Sequence, residues 1–487
     1  MNRRFVFVAL ILSAFVIYTR AKFHAQYLYS WDSVSFALSV EHFDVHLHQP
    51  HPPGYILYSY TIRILNDLVQ DPNKTMIYLN IAASIGACIA LYKLVWMMSQ
   101  SHIAAAGASF LYAVNPVSAF YGSVAEIYAI EGFWVMVIVL FLMASRKQEK
   151  YLIWASVAMA VAGGFRPTTE IFLLPVYLAC CFIREKKNFV LPLAVLLIGN
   201  LLWFVPLVLK SGGLQSYLEA VRGQSERAAA DASEPGESGS AWKLILRILQ
   251  AISLPVIIAV LIRMNRLRVK RIDWLLATAI LPSVVFFFIF PYPKDGYLLV
   301  FIPALIAMFA LFLSRLYSVG TQAAVLISSC ALTWFFYIHP VTPPSFLGEF
   351  TQPNRQIMQA RMDRLKNFFE IVDGIEGGSP KVFVLETRHF FPNWRTMLYY
   401  YPNSPIYLVW PNKRRAYLAN NHEYTTIPAP IRIPQKLALI AVGRAKPEIK
   451  MDSFQVGSFR YYFAAVSSLP KNFSLYSMRC VVVTKGS

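Results

Sequence analysis

PPGYILYSYTIRILNDLVQ (52–70) decides how this chain is threaded. Read as a membrane span, it puts every later basic cluster on the side opposite Arg3 and Arg4, which precede the first apolar run. Read as a helix lying at an interface, it lets all those clusters agree. Its residues favour the interface: Arg63, Asn66 and Asp67 interrupt it and leave only a narrow apolar face. The proline pair at 52–53 forbids helix and fixes an extended lead-in. Gly54 then permits a sharp helix start.

Around this stretch the chain is strongly apolar. Hydrophobic residues make up 56%, charged residues 15%, and the mean hydropathy is +0.47. Soluble domains carry about 25% charged residues, so a disordered chain is excluded and an ordinary soluble enzyme disfavoured. A spanning helix needs roughly 20 mostly apolar residues. About eleven candidates lie near 4–20, 74–98, 102–121, 127–145, 151–165, 169–183, 189–209, 242–262, 273–291, 297–314 and 321–338. TRAKFHA (19–25) is a poor cleavage site, so the first run is read as a retained helix.

With 52–70 at the interface, the positive-inside rule gives one consistent orientation. Arg146, Lys147 and Lys150 fall in the cytoplasm, as do Arg184, Lys186 and Lys187. So does the densest cluster, Arg263, Arg266, Arg268, Lys270 and Arg271. The net charge of +19 therefore resides in short clusters between apolar runs, which argues against a nucleic-acid surface. Three outer loops follow: 20–73, 122–126, and 210–241, the last rich in Ser, Gly, Ala and Glu and expected to be mobile. HPVTPPS (339–345) reads as a linker. Beyond it KVFVLE (381–386), IYLVW (406–410), LALIAV (437–442) and CVVVT (480–484) read as strands, with a helix near 394–401. The expected architecture is an all-α polytopic membrane domain over 1–340 and a small extracytoplasmic α/β domain over 350–487. Five cysteines show no metal or redox spacing.

Candidate chemistry collects in the outer loops. Asp32 follows the first helix in YSWDSVSFALSVEHFD (29–44); it reads either as a catalytic carboxylate or as the N-cap of the helix after it. HLHQPHPPGYILY (46–58) lies in a cluster of His42, His46, His48 and His51. Histidine can serve as acid, base or metal ligand, but no known ligand spacing is present. Glu126 lies between two spans in FYGSVAEIYAIEGFW (120–134), where it suits general-base chemistry, metal binding or capping. Glu131, five residues on, does not share its helix face closely. Arg166 in GGFRPTTE (163–170) and Lys294 in PYPKDGYLLVFIP (291–303) are cations at membrane depth, suited to a lipid phosphate or to snorkelling.

Taken in order, Asp32, HPPGY (51–55), AEIYA (125–129), FRP (165–167) and KDGYLLVFIP (294–303) resemble the GT-C membrane glycosyltransferases. The likeness is to the protein O-mannosyltransferase and aminoarabinose transferase group and spans roughly 1–340. It implies a sugar donor carried on a polyprenyl phosphate, membrane lipids around it, and inverting transfer to a glycan, lipid or protein acceptor on the outer face. It implies Asp32 as the base and Glu126 as a second acid shaping an acceptor or metal site. His48, His51, Tyr55 and Tyr128 would line the cavity. Arg166 and Lys294 would hold the donor phosphate, supported by Tyr297. Two departures matter. Asp32 is followed by Ser33 rather than a second acid, which weakens a metal-dependent assignment. The neighbourhood QPHPP has histidine where the aminoarabinose transferases carry an acid, so neither lipid A nor aminoarabinose is inherited. No cofactor is certain, and a divalent metal stays open. The competing expectations are a flippase for lipid-linked glycans and a polymerase or ligase using a diphosphate donor. The absence of a cysteine framework points to a bacterial inner membrane.

Overall fold

The computed structural model describes residues 3–182, 189–232, 241–263, 273–289, 294–340, 353–375, 381–386, 392–410, 415–419, 424–427, 431–433, 438–442, 452–456, 459–465, 472–474 and 482–485. Of the basic clusters, Arg184, Lys186, Lys187, Arg266, Arg268, Lys270 and Arg271 lie outside the described residues. The chain divides into two compact units, Met1–Ala25 with Pro52–Met358, and Gln26–His51 with Gln359–Ser487.

The helices run in chain order as α1 (Arg3–Lys22), α2 (Trp31–Glu41), α3 (Ile56–Val69), α4 (Pro72–Ser99), α5 (His102–Val114), α6 (Pro116–Tyr121), α7 (Tyr128–Ser145), α8 (Lys150–Phe165), α9 (Pro167–Phe182), α10 (Val190–Lys210), α11 (Leu214–Ala232), α12 (Ala241–Ile252), α13 (Leu254–Ile262), α14 (Trp274–Ile289), α15 (Ile302–Leu316), α16 (Val319–Ile338), α17 (Arg355–Gly374) and α18 (Trp394–Tyr400). All but α2, α18 and most of α17 belong to the first unit.

Among the described residues five helices, α1, α4, α7, α10 and α16, are long and apolar enough to cross a membrane. Shorter apolar helices, including α5, α8, α9, α14 and α15, accompany them. On α10 the outward face carries Leu191, Leu197, Ile198, Leu201, Leu202, Val205 and Leu209 exposed. An apolar surface of that extent is untenable in water and natural against lipid. The chain is an integral membrane protein.

Local sequence explains the element ends. Asp71 caps α4 by accepting from the Lys74 amide, and Pro72 takes the first turn, where its missing N–H costs nothing. Asn115 ends α5 and caps α6, so the span read over 102–121 is two helices broken before Pro116. The span read over 242–262 is likewise split, at Ser253, whose φ is 72°. The span read over 297–314 opens as a 3-10 turn, Asp295–Val300, before α15. The interfacial segment forms α3. It packs on α4 and α8, burying Ile56, Tyr58, Ser59 and Ile62 while leaving Ile64 and Leu68 exposed.

The expectation of a mobile loop over 210–241 is corrected for 210–232; 233–240 lie outside the described residues. Residues 214–232 form α11, because Gly212 and Gly213 (φ 81° and 104°) end the preceding helix and the Ala, Leu, Glu and Arg that follow are good helix formers. α11 docks through Tyr217, whose hydroxyl donates to the Pro53 carbonyl (3.2 Å) and whose ring meets Phe204 edge-on.

One end of the first unit is knitted by side chains reaching backbone. The Ala25 amide donates to the Ser123 carbonyl (2.9 Å), and Asn73 donates to the Ala25 carbonyl (2.9 Å). At the other end Arg146, just after α7, pairs with Asp273, just before α14 (2.9 Å). Residues 25, 73 and 123 thus share one end, and 146 and 273 share another.

The second unit holds a sheet of seven strands in the order β4-β3-β2-β1-β6-β8-β7. These are β1 (Lys381–Glu386), β2 (Ile406–Trp410), β3 (Arg415–Ala419), β4 (Tyr424–Ile427), β6 (Ala438–Val442), β7 (Asp452–Val456) and β8 (Phe459–Ala465). β1 is parallel to both β2 and β6, and the flanking pairs are antiparallel. A smaller sheet orders β5 (Ile431–Ile433), β10 (Val482–Lys485) and β9 (Asn472–Ser474).

Candidate active site

In the first unit, loop 122–127 carries Glu126 between α6 and α7. Asn80 of α4 fixes this loop by donating to the carbonyls of Val124 (2.7 Å) and Glu126 (2.6 Å). The Glu126 carboxylate is thereby held in the interior, with a side chain 2% exposed, and its Oε2 lies 3.3 Å from Lys294 Nζ. Lys294 stands just before the 3-10 turn and is 27% exposed. Tyr58 of α3 is close enough to feel Glu126: burial, and then that carboxylate, push the phenol well above its usual pKa.

A second pair sits one helical turn into α7. Glu131 Oε2 is 3.1 Å from Arg166 Nε, with side chains 2% and 4% exposed. Thr169 donates to Glu131 Oε1 (3.1 Å), and Arg166 Nε donates to Thr168 Oγ1 (3.0 Å). Since Nε–H is directed to the threonine, the contact with Glu131 is an ion pair rather than a hydrogen bond. Arg166 closes α8 through its amide and meets Pro167 at the start of α9, so the helix break itself aims the side chain.

The Arg166 guanidinium is sandwiched, with Cζ 4.6 Å from the Tyr128 ring centroid and 4.7 Å from that of Tyr297. Burial alone would lower its pKa; Glu131, then Tyr55, Tyr128 and Tyr297, more than reverse this and raise it well above the usual value. Arg166 is a permanent cation. Tyr128 and Tyr297 also touch each other (5.3 Å), and Tyr121 packs edge-on to Tyr128 (4.9 Å). Gly296 makes the box possible: a Cβ there would lie 2.4 Å from the Tyr128 ring. Tyr55 precedes α3 in the left-handed region (φ 42°), an uncommon conformation for a bulky residue, beside Gly54 at φ 105°.

In the second unit the capping alternative for Asp32 is corrected. Ser30 is the N-cap of α2, in a reciprocal capping box with Ser33. Asp32 lies in the first turn, where a negative charge suits the helix dipole, and its Oδ1 is 3.7 Å from His51 Nδ1. His51 also faces the Phe36 ring (5.8 Å). His48 has φ 56°, and its carbonyl accepts from Arg395 Nη1 (3.0 Å), while Arg395 Nη2 donates to the Leu47 carbonyl. Arg395 is itself clasped by Trp31 and Trp394 (5.0 and 4.7 Å).

The residues singled out in the sequence therefore fall into two groups. Asp32, His48 and His51 belong to the second unit; Tyr55, Glu126, Tyr128, Arg166, Lys294 and Tyr297 belong to the first. Within the first, Tyr55, Tyr128 and Tyr297 surround Arg166, and Glu126 meets Lys294. The structure adds Glu131, Asn80, Tyr58 and Arg395, to which the sequence motifs assign no role. Among the described residues no three of His, Cys, Asp and Glu come together as a metal site.

Residues 42–190 match the family described as the protein O-mannosyl-transferase TMEM260 N-terminal domain. No curated protein matches the chain. The fold is similar to that of ArnT from Cupriavidus metallidurans bound to undecaprenyl phosphate, with a TM-score of 0.50 and 15% identity, covering 75% of this chain and 69% of that one. The apo structure of the same protein gives a TM-score of 0.45 at 16% identity, with the same coverage. The resemblance read from the sequence is thus borne out: the chain has an ArnT-like fold and, over the segment holding HPPGY, AEIYA and FRP, resembles a protein O-mannosyltransferase domain, as a membrane glycosyltransferase of the GT-C kind does.

Proposed function

We propose that the chain transfers a sugar from a polyprenyl-phosphate carrier to an acceptor hydroxyl on the extracytoplasmic face, with inversion. The observation that carries this reading is the Glu126–Lys294 pair: a buried carboxylate and a partly exposed lysine at one end of a bundle of apolar helices. Two similar proteins support it. One is a protein O-mannosyl-transferase, and the other protein was solved with undecaprenyl phosphate.

In the proposed reaction the acceptor oxygen bonds to the anomeric carbon from the face opposite the phosphate. The bond from that carbon to the phosphate oxygen breaks, and its electron pair leaves with the phosphate. Lys294 neutralises that growing charge, the kind of preorganised electrostatic help that matters most in transfer chemistry. Asp32 takes the hydroxyl proton, with His51 beside it to set the carboxylate's orientation. Glu126 orients the acceptor. His48, Tyr55 and Tyr128 line the substrate path. Arg166 is engaged by Glu131 and two tyrosines, so its task is to hold Tyr128 and Tyr297 in place and add a fixed positive field. The basic clusters of the sequence place residues 350–487 outside, and the lack of a cysteine framework together with a short first helix favours a bacterial inner membrane.

Glycan and glycolipid profiles of three strains test this reading: native, deleted, and deleted carrying Asp32→Asn at matched membrane levels. The expected result is one sugar missing after deletion and still missing with Asp32→Asn, while its polyprenyl-phosphate donor accumulates. Full restoration by Asp32→Asn would remove Asp32 as the base. A donor trapped on the cytoplasmic side would point to a flippase instead.

A further inference from the structure

The two carboxylate–cation pairs of the first unit differ in one respect that bears on ligand binding. Arg166 is sealed, 4% exposed, flat between two rings and close to a carboxylate of equal burial. Lys294 is 27% exposed, and its ammonium meets Glu126 at 3.3 Å, an ordinary rather than a tight contact. A lysine ammonium is a compact point charge on a flexible stem, which can swing between anions; a stacked guanidinium cannot do so without losing its stacking. The Glu126 backbone is anchored from behind by Asn80 and its side chain is enclosed, so of the two partners the more exposed Lys294 has the freer travel.

We propose that an incoming polyprenyl phosphate takes Lys294 from Glu126 by ion-pair exchange, so that seating the donor releases the Glu126 carboxylate toward the acceptor side. The lysine changes anion without going unpaired; the cost of the exchange falls on the buried Glu126 carboxylate, which turns to the acceptor hydroxyl in its place. This rests on the donor class proposed above and adds an order of events to it: the Glu126 carboxylate is occupied until the donor phosphate arrives. Arg166 stays paired throughout.

The test is a double-mutant cycle on the full-length protein in phosphatidylcholine nanodiscs, titrated with undecaprenyl phosphate. Exchange makes Glu126 a competitor of the phosphate for Lys294. Glu126→Gln should therefore tighten binding about five- to tenfold while Lys294 is present. In the Lys294→Met background the same change should do almost nothing. Simple repulsion between Glu126 and the phosphate predicts the same factor in both backgrounds, so equal factors overturn the exchange. So does the absence of tightening in Glu126→Gln. Lys294→Arg, which keeps the charge, should retain part of the coupling and guards against a folding artefact in Lys294→Met. Infrared difference spectra give a second readout: adding the probe should shift a carboxylate stretch in the native protein and not in Glu126→Gln. A native protein that does not bind undecaprenyl phosphate above a phosphatidic acid control overturns the donor class and the exchange together. Native binding with equal factors in the cycle overturns the exchange alone.

Discussion

Glu131–Arg166 and Glu126–Lys294 are made of the same chemistry and built for different work. Both carboxylates are 2% exposed, but their cations are 4% and 27% exposed. The first pair is closed by two threonines and two tyrosine faces. The second opens toward solvent on its lysine side. Burying an ion pair gains little net stability but makes its loss costly, so a sealed pair is a fixture and a half-open one is a working part. In the second unit, Asp32–His51 extends the series: 3.7 Å apart, with side chains 24% and 15% exposed. Stability effects should therefore fall along the series, while effects on transfer should not.

The largest loss of stability is expected for Arg166→Ala, which leaves Glu131 buried without its cation. We expect about 3–5 kcal/mol, read as a large drop in thermal unfolding temperature in detergent. Arg166→Lys should recover less than half of it, since an ammonium cannot stack between two tyrosines and reach Glu131 in the same geometry. Full recovery would show that only the charge matters.

Arg395→Ala should cost about 2–3 kcal/mol, the value of hydrogen bonds from a charged group. Its signature is local: faster hydrogen exchange at residues 42–51, with β1 and β2 unchanged. Unchanged exchange there would mean that the Leu47 and His48 carbonyls do not need this clamp.

Lys294→Met should cost about 1–3 kcal/mol, between the surface and buried limits. It should reduce transfer by about 10²–10³-fold, the usual loss when one electrostatic stabiliser of a leaving anion is removed. Asp32→Asn should be the mildest for stability, under about 1 kcal/mol, yet lower transfer by about 10²–10⁴-fold. If stability and transfer fall together along the whole series, the division between fixtures and working parts is wrong.

Much of the helical plan was legible. Apolar runs of near-spanning length gave the order of the helices, and the helix expected within 52–70 is present as a short helix packed on α4 and α8. Less legible were the breaks. Ser253 and the Asn115–Pro116 step divide runs that hydropathy alone reads as continuous. α11 was hidden because its Ser, Gly and Glu resemble a polar loop in composition, though its Ala, Leu and Arg favour helix.

At the candidate site, the strings AEIYA, FRP and KDGYLLVFIP hold residues that the fold pairs, but the strings do not say who pairs with whom. In the sequence, Glu131 has Glu126 as its nearest acid, five residues before it and ahead of α7. Its true partner is Arg166, which arrives from the α8–α9 break. Arg395 could not be found from sequence, since it clamps a loop 347 residues away and sits in an unremarkable PNWRT string. Partnerships of this kind depend on tertiary packing and leave no local pattern.

The most direct test of the central claim is product release. Purified protein in nanodiscs is given membrane lipids that carry polyprenyl-phosphate sugars, together with a crude acceptor extract, and free polyprenyl phosphate is measured by mass spectrometry. The account predicts acceptor-dependent release by the native protein and almost none by a folded Lys294→Met variant. Equal release by both, or none from the native protein, would contradict it.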